Sequence, residues 1–101
     1  MAKLSTVNKN NKRARMVKSQ SKARKALREQ SLDLKLSPED RAVAFRKLQK
    51  LAKNGAANRH VVRCSVTGRS KGVYRKFRLS RMKFREMALD GLLPGVVKAS
   101  W

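Results

Sequence analysis

The chain has 101 residues, with 27 Lys or Arg against 6 Asp or Glu and a net charge of +21. This length suits one small domain or less, whose core buries only about 60–68% of the unfolded chain's surface. One cysteine excludes an internal disulfide and fits a reducing compartment, no run nears the ~18 apolar residues of a membrane span, and so large a positive excess needs an external polyanion.

The N-terminus, MAKLSTVNKN, shows no apolar h-region, so export is not expected. Residues 1–36 read as a basic arm. Its first 30 residues carry ten Lys or Arg and a single acid, Glu29. The stretch KSQSKARKALREQ favours helix by propensity, with no Gly or Pro to interrupt it. Its apolar residues are small and poorly phased, and like charges lie on every face. The arm is therefore expected to be disordered alone and helical where phosphates neutralise it.

Residues 37–55 read as an amphipathic helix. Ser37 supplies an N-cap, Pro38 the first helical position, and Glu39 and Asp40 two acids in the first turn. Val43, Ala44, Phe45, Leu48, Leu51 and Ala52 recur at three- and four-residue spacing. The helix is expected to run from about Pro38 to Lys53, with Asn54-Gly55 as a left-handed cap.

Residues 56–101 read as a compact module. HVVRCSV is β-branched enough for a strand, TGRSKG reads as a turn, and VYRKFRL returns as a possible second strand. Ser80 is placed to cap a helix from Arg81 to about Asp90, with Gly91 at its end. The tail breaks at Pro94-Gly95. The fold class expected is mainly α with irregular loops: a long helical arm and a small module of β-hairpin and helix.

Catalytic chemistry is thin. There is one His, one Cys, six scattered carboxylates, and no P-loop, H-E-x-x-H or G-x-S-x-G motif. His60 and Cys64 stand four apart and could meet on a helix, but lack partners for catalysis. Neither an enzyme nor a small-molecule substrate or cofactor is expected.

One spacing is suggestive. Cys64, Thr67, Ser80 and Lys83 occupy the four positions of a C-x-x-C…C-x-x-C zinc ribbon. Structural zinc needs four S or N ligands. Hydroxyls serve poorly and a protonated lysine not at all, so these are degenerate positions and no metal is expected.

The basic residues remain. Lys12, Arg13 and Arg15 in the arm are candidate phosphate contacts. So are Arg59, Arg63, Arg69, Lys71, Arg75, Lys76, Arg78, Arg81, Arg85 and Lys98 in the module. Arginine predominates there, which suits bidentate phosphate recognition and stacking on bases. Tyr74 and Phe77 either stack on unpaired bases or pack the core. Trp101, the sole tryptophan, is expected to dock onto RNA or protein. No DNA-reading module is visible, whereas an arm joined to a small loop-rich unit suits folded RNA. A nucleoid-type DNA-binding protein is the alternative; a cationic membrane-active peptide fits less well, for want of a permeabilising amphipathic face.

Asn58-Arg59, Arg63-Cys64, Thr67-Gly68-Arg69, Tyr74-Arg75, Leu79-Ser80-Arg81, Phe84-Arg85-Glu86, Leu93-Pro94-Gly95 and Lys98-Ala99-Ser100-Trp101 appear in that order. Together they resemble the S-fourteen family of small-subunit ribosomal proteins, densely over about the last 45 residues. The resemblance is to the long form of that family, which lacks the zinc ligands of the short form. Ala52, Gly55 and Ser70 depart from the residues usual there. It implies a zinc-ribbon-like module without zinc and binding to the 3′ major domain of the small-subunit rRNA, in the subunit head near the decoding region. It also implies neighbours from the S-three, S-ten and S-nineteen families, on a ribosome of a bacterium or an organelle.

Overall fold

A computed structural model describes residues 1–100. Three helices and one two-stranded antiparallel hairpin make up its regular structure: α1 (Leu4–Leu32), α2 (Pro38–Lys50), β1 (Val73–Tyr74), β2 (Leu79–Ser80) and α3 (Arg81–Leu89), with two 3-10 turns at Lys53–Gly55 and Ala57–Arg59. The mainly helical class with a small hairpin is as expected. The chain divides into two compact units: Met1–Val7 with the chain from Val61 onward, and Asn8–His60.

In the Asn8–His60 unit, α1 is polar around its whole circumference, and nothing offsets its macrodipole: no acid lies in its first turn and no base in its last. Its ion pair, Lys25 Nζ to Glu29 Oε1, spans 4.0 Å between exposed side chains, a contact of little energetic weight. Contacts farther along the chain hold the helix better. Arg24 donates to the Ala52 carbonyl at 2.6 Å and to Gln20 Oε1 at 3.3 Å. Gln20 lies directly over buried Gly55, where a Cβ would overlap its amide oxygen.

The turn into α2 is built from an Asp33 carboxylate accepting from the Lys35 amide at 3.0 Å, and the Ser37 hydroxyl then caps the helix by accepting from Asp40 N at 3.3 Å. The helix ends at Lys50 and not at Lys53. Leu51 turns extended, and Gly55 belongs to a 3-10 turn instead of forming a left-handed cap. The reason is a tertiary contact: Gly55 is needed for the close approach of Gln20, not for a positive φ. Of the expected apolar stripe only Ala44 is buried, while Val43 and Phe45 are exposed.

The second unit holds a small core of Cys64 and Leu79, with Ser80 fully buried beside them. The expected strand at HVVRCSV is absent. The hairpin closes more locally, pairing Val73 with Ser80 and Tyr74 with Leu79. Residues 64–69 form a tight loop instead, in which Cys64 N donates to Arg69 O and Gly68 N to Cys64 O, both at 2.9 Å. Ser65 N, donating to Arg78 O at 2.9 Å, ties that loop to the hairpin. The Cys64 amide is thus taken up within its own loop. His60 lies in extended chain, and shares no helix with Cys64.

Candidate nucleic-acid interface

Glycine makes the 64–69 loop possible. Gly68 sits at φ +75°, and a Cβ there would come within 3.0 Å of Val7 Cγ2 and 3.2 Å of Ala2 Cβ. The loop directs several donors at one sulfur. Thr67 N lies 3.5 Å from Cys64 Sγ. Burial raises the thiol pKa, but the Thr67 hydroxyl and the amides of Thr67, Ser80 and Val66 outweigh it and lower the pKa to about 6.

The other positions of the metal spacing have taken different work. Ser80 Oγ caps α3, accepting from Lys83 N at 3.4 Å. Lys83 Nζ binds Glu86 Oε2 at 2.8 Å. That hydrogen bond and the charge of Glu86 raise the Lys83 pKa against a small opposing effect of burial, with a further contribution from the Cys64 thiolate. Zinc does not fit these residues: one thiol faces a hydroxyl engaged at a helix cap and an ammonium already paired with a carboxylate. Among the described residues no group of three or more His, Cys, Asp or Glu could hold a metal ion.

The cations divide by what their side chains do. Arg63 and Arg69 are half-buried and serve the loop. Arg63 Nη1 donates to Gly68 O and Arg69 Nε to Lys71 O, each at 2.9 Å. Arg63 Nε is buried without a hydrogen-bond partner, so part of that guanidinium is committed to packing. Arg59, at the end of a 3-10 turn, is held by Asn54 Oδ1 at 3.2 Å but remains exposed.

Lys71, Arg75, Lys76, Arg78, Arg81, Arg85 and Lys98 are all exposed. Arg75, Lys76 and Arg78 crowd into the four-residue loop of the hairpin, where Arg78 adopts φ +53°, the one non-glycine residue with positive φ among the described residues. On the arm, Lys12 and Arg15 are exposed and Arg13 is half-buried; their spacing on an α-helix spreads them over a little under half of its circumference. Trp101 lies outside the described residues.

Only two ion pairs occur among the described residues, Lys25–Glu29 and Lys83–Glu86. Among the described residues the remaining cations carry no carboxylate partner, so the surface can neutralise a polyanion without first breaking internal pairs.

The aromatics settle into distinct places. Phe84 is central, with its ring 4.7 Å from Tyr74 and 5.0 Å from Phe77. Phe77 is half-buried in this cluster, whereas Tyr74 stays 50% exposed. Beside Tyr74 runs an open groove of about 450 Å³ whose walls come from α3 and the Val96–Lys98 segment. Inspection of the sequence misses it, because Val96 and Val97 read as a tail after Pro94-Gly95 and only the fold brings them opposite α3.

No helix among the described residues is long and apolar enough to cross a membrane. Residues 47–100 match the family model described as ribosomal protein S14p/S29e. The chain is also similar along its whole length to bacterial proteins named small ribosomal subunit protein uS14. It is 48% identical to that of Pelagibacter ubique, 48% to that of Nostoc sp. and 46% to that of Rhodospirillum rubrum, covering 100% of both chains in each case. The motif order, the unpaired cationic surface and this full-length similarity agree, and the chain belongs to the ribosomal protein S14p/S29e family.

Proposed function

We propose that the chain is a structural constituent of the small ribosomal subunit that binds the 3′ major domain of its rRNA in the head and supports head assembly and the decoding region. The observation carrying this reading is a positive surface almost without internal ion pairs, on a member of this family. Residues 1–36 act as an arm that follows the RNA backbone, residues 37–55 as a segment built on the short helix α2, and residues 56–101 as a zinc-free, ribbon-like module that clamps a junction.

Phosphate contacts come from Lys12, Arg13, Arg15, Arg59, Lys71, Arg75, Lys76, Arg78, Arg81, Arg85 and Lys98. Arg63 and Arg69 both shape the 64–69 loop and face the RNA, and Trp101 docks at the same interface. Protein neighbours of the S-three, S-ten and S-nineteen families complete the setting, on a bacterial-type ribosome. The role is non-catalytic and needs no cofactor.

A salt titration of binding to a 3′ major domain transcript tests this. The log–log slope should be steep, about −0.7 to −0.9 per phosphate neutralised. A slope near zero, or preference for duplex DNA over the transcript at matched salt, overturns the reading. Migration with small subunits through a sucrose gradient in moderate salt separates it from a DNA-compacting role.

A further inference from the structure

The groove beside Tyr74 differs from the rest of the basic surface. Tyr74, Met82 and Leu89 present exposed apolar surface at its floor and walls, being 50%, 49% and 66% exposed. Single exposed apolar residues are ordinary, but several lining one concavity are not. Arg81, Arg85 and Lys98 also line it, and among the described residues no carboxylate does.

This segregation follows from the period of α3. Positions 81, 85 and 89 share one side of the helix, and 84 and 88 adjoin them, whereas 83, 86 and 90 turn away. The two acids of this region, Glu86 and Asp90, are thus directed off the groove, and Glu86 is held there by Lys83 at 2.8 Å. The Tyr74 ring packs against Phe84 at a centroid distance of 4.7 Å and remains 50% exposed. Apolar, aromatic-floored and rimmed by cations alone, the site suits a ligand with a flat apolar face and attached negative charge. An unpaired nucleotide has that form, since bases stack on aromatic rings while arginine and lysine take the flanking phosphates.

We infer that this groove receives an extruded base of the bound RNA, with Tyr74 as the stacking platform and Arg81, Arg85 and Lys98 holding the neighbouring phosphates. The inference rests on the rRNA-binding reading and adds a specific contact to it. The other surface cations take phosphate in any register, whereas the groove fixes one nucleotide. It gives a mainly electrostatic interface a point of positional discrimination.

The test uses the full chain and a 3′ major domain transcript substituted with 4-thiouridine. Photocrosslinks should map to Tyr74, Met82 or Phe84. Tyr74→Ala should weaken binding about 5- to 100-fold with an unchanged salt slope, because stacking is lost and phosphate contacts are not. Tyr74→Phe, which keeps the ring, should bind like the parent. Leu89→Glu, which places a carboxylate in the groove without touching the aromatic cluster, should weaken binding to a similar degree.

If the parent binds the transcript with a steep salt slope while Tyr74→Ala and Leu89→Glu bind equally well and crosslinks fall elsewhere, the groove assignment is overturned and rRNA binding stands. If both variants bind RNA normally but Leu89→Glu no longer enters reconstituted subunits, the groove belongs to a protein neighbour and the assignment is again overturned. Absence of transcript binding by the parent itself removes the rRNA reading along with this one.

Discussion

The Thr67 amide lies 3.5 Å from Cys64 Sγ, three residues along from it, where a metal pair would have placed its second sulfur. With the Thr67 hydroxyl and the amides of Val66 and Ser80 also directed at the sulfur, the thiolate is held at about pKa 6 despite burial, which acts the other way. Hydrogen-bond donors thus face the negative sulfur in place of a cation, and the 64–69 loop closes around it.

That arrangement makes stability depend on pH in a definite direction. The folded thiol pKa, about 6, lies below its ordinary value of 9.0. Between those limits the unfolded chain holds the proton and the folded chain does not, so stability rises with pH. It is lost again as pH falls through about 6. The slope should reach at most about 1.4 kcal/mol per pH unit. Urea unfolding of the parent and Cys64→Ser across this range measures it, and curves that stay parallel would refute a thiolate in the fold.

Gly68 is the residue on which the loop turns. Replacement by Ala meets a left-handed backbone and two side chains at 3.0 and 3.2 Å at once. Gly68→Ala should destabilise the chain by about 1–3 kcal/mol, read as a lower urea midpoint at unchanged m-value. An unaltered midpoint would mean that the N-terminal residues give way freely.

Arg78 sets stability against function. At φ +53° it carries a strain that glycine would not, yet it is one of three cations in the hairpin loop. Arg78→Gly should leave stability equal or raise it by up to about 1 kcal/mol. The same variant should bind the rRNA transcript more weakly, with a salt slope reduced by about one phosphate. Loss of stability together with unchanged affinity would show that the side chain serves the fold instead.

The long helix α1 should respond to its partner. It has no apolar stripe, no dipole compensation, and Lys25–Glu29 as its own ion pair. Helical circular dichroism of the full chain in low salt should therefore increase when the transcript is added, as phosphates remove the repulsion between its cations. A full helical signal without RNA, unchanged by adding it, would place the helix's stability in its contacts with Ala52 and Gly55.

Much of this molecule is legible in the residues themselves, wherever the cause acts over a few positions. Ser37 and Ser80 cap helices because a hydroxyl reaches an amide three residues on. The turn at TGRSKG and the excess of Lys and Arg are likewise written in the linear order. The family motifs and the missing zinc ligands are equally visible in the linear order.

Tertiary contacts decided the rest. Val61 and Val62 have the branching of a strand yet lie outside the hairpin, which pairs Val73 with Ser80 and Tyr74 with Leu79, while the Cys64 amide bonds within its own loop. Gly55, read as a helix cap, is instead the place where Gln20 presses against the chain. Periodicity cannot choose between such outcomes, since side-chain approach from 35 residues away leaves no local trace. The fates of Tyr74 and Phe77 differ for the same reason: both pack on Phe84, but only Phe77 is covered. The sequence by itself determined the charge, the caps, the family and the missing zinc ligands at 67, 80 and 83; the tertiary structure alone decided which aromatic ring stays exposed, because exposure depends on what packs opposite, and that is a property of the folded chain.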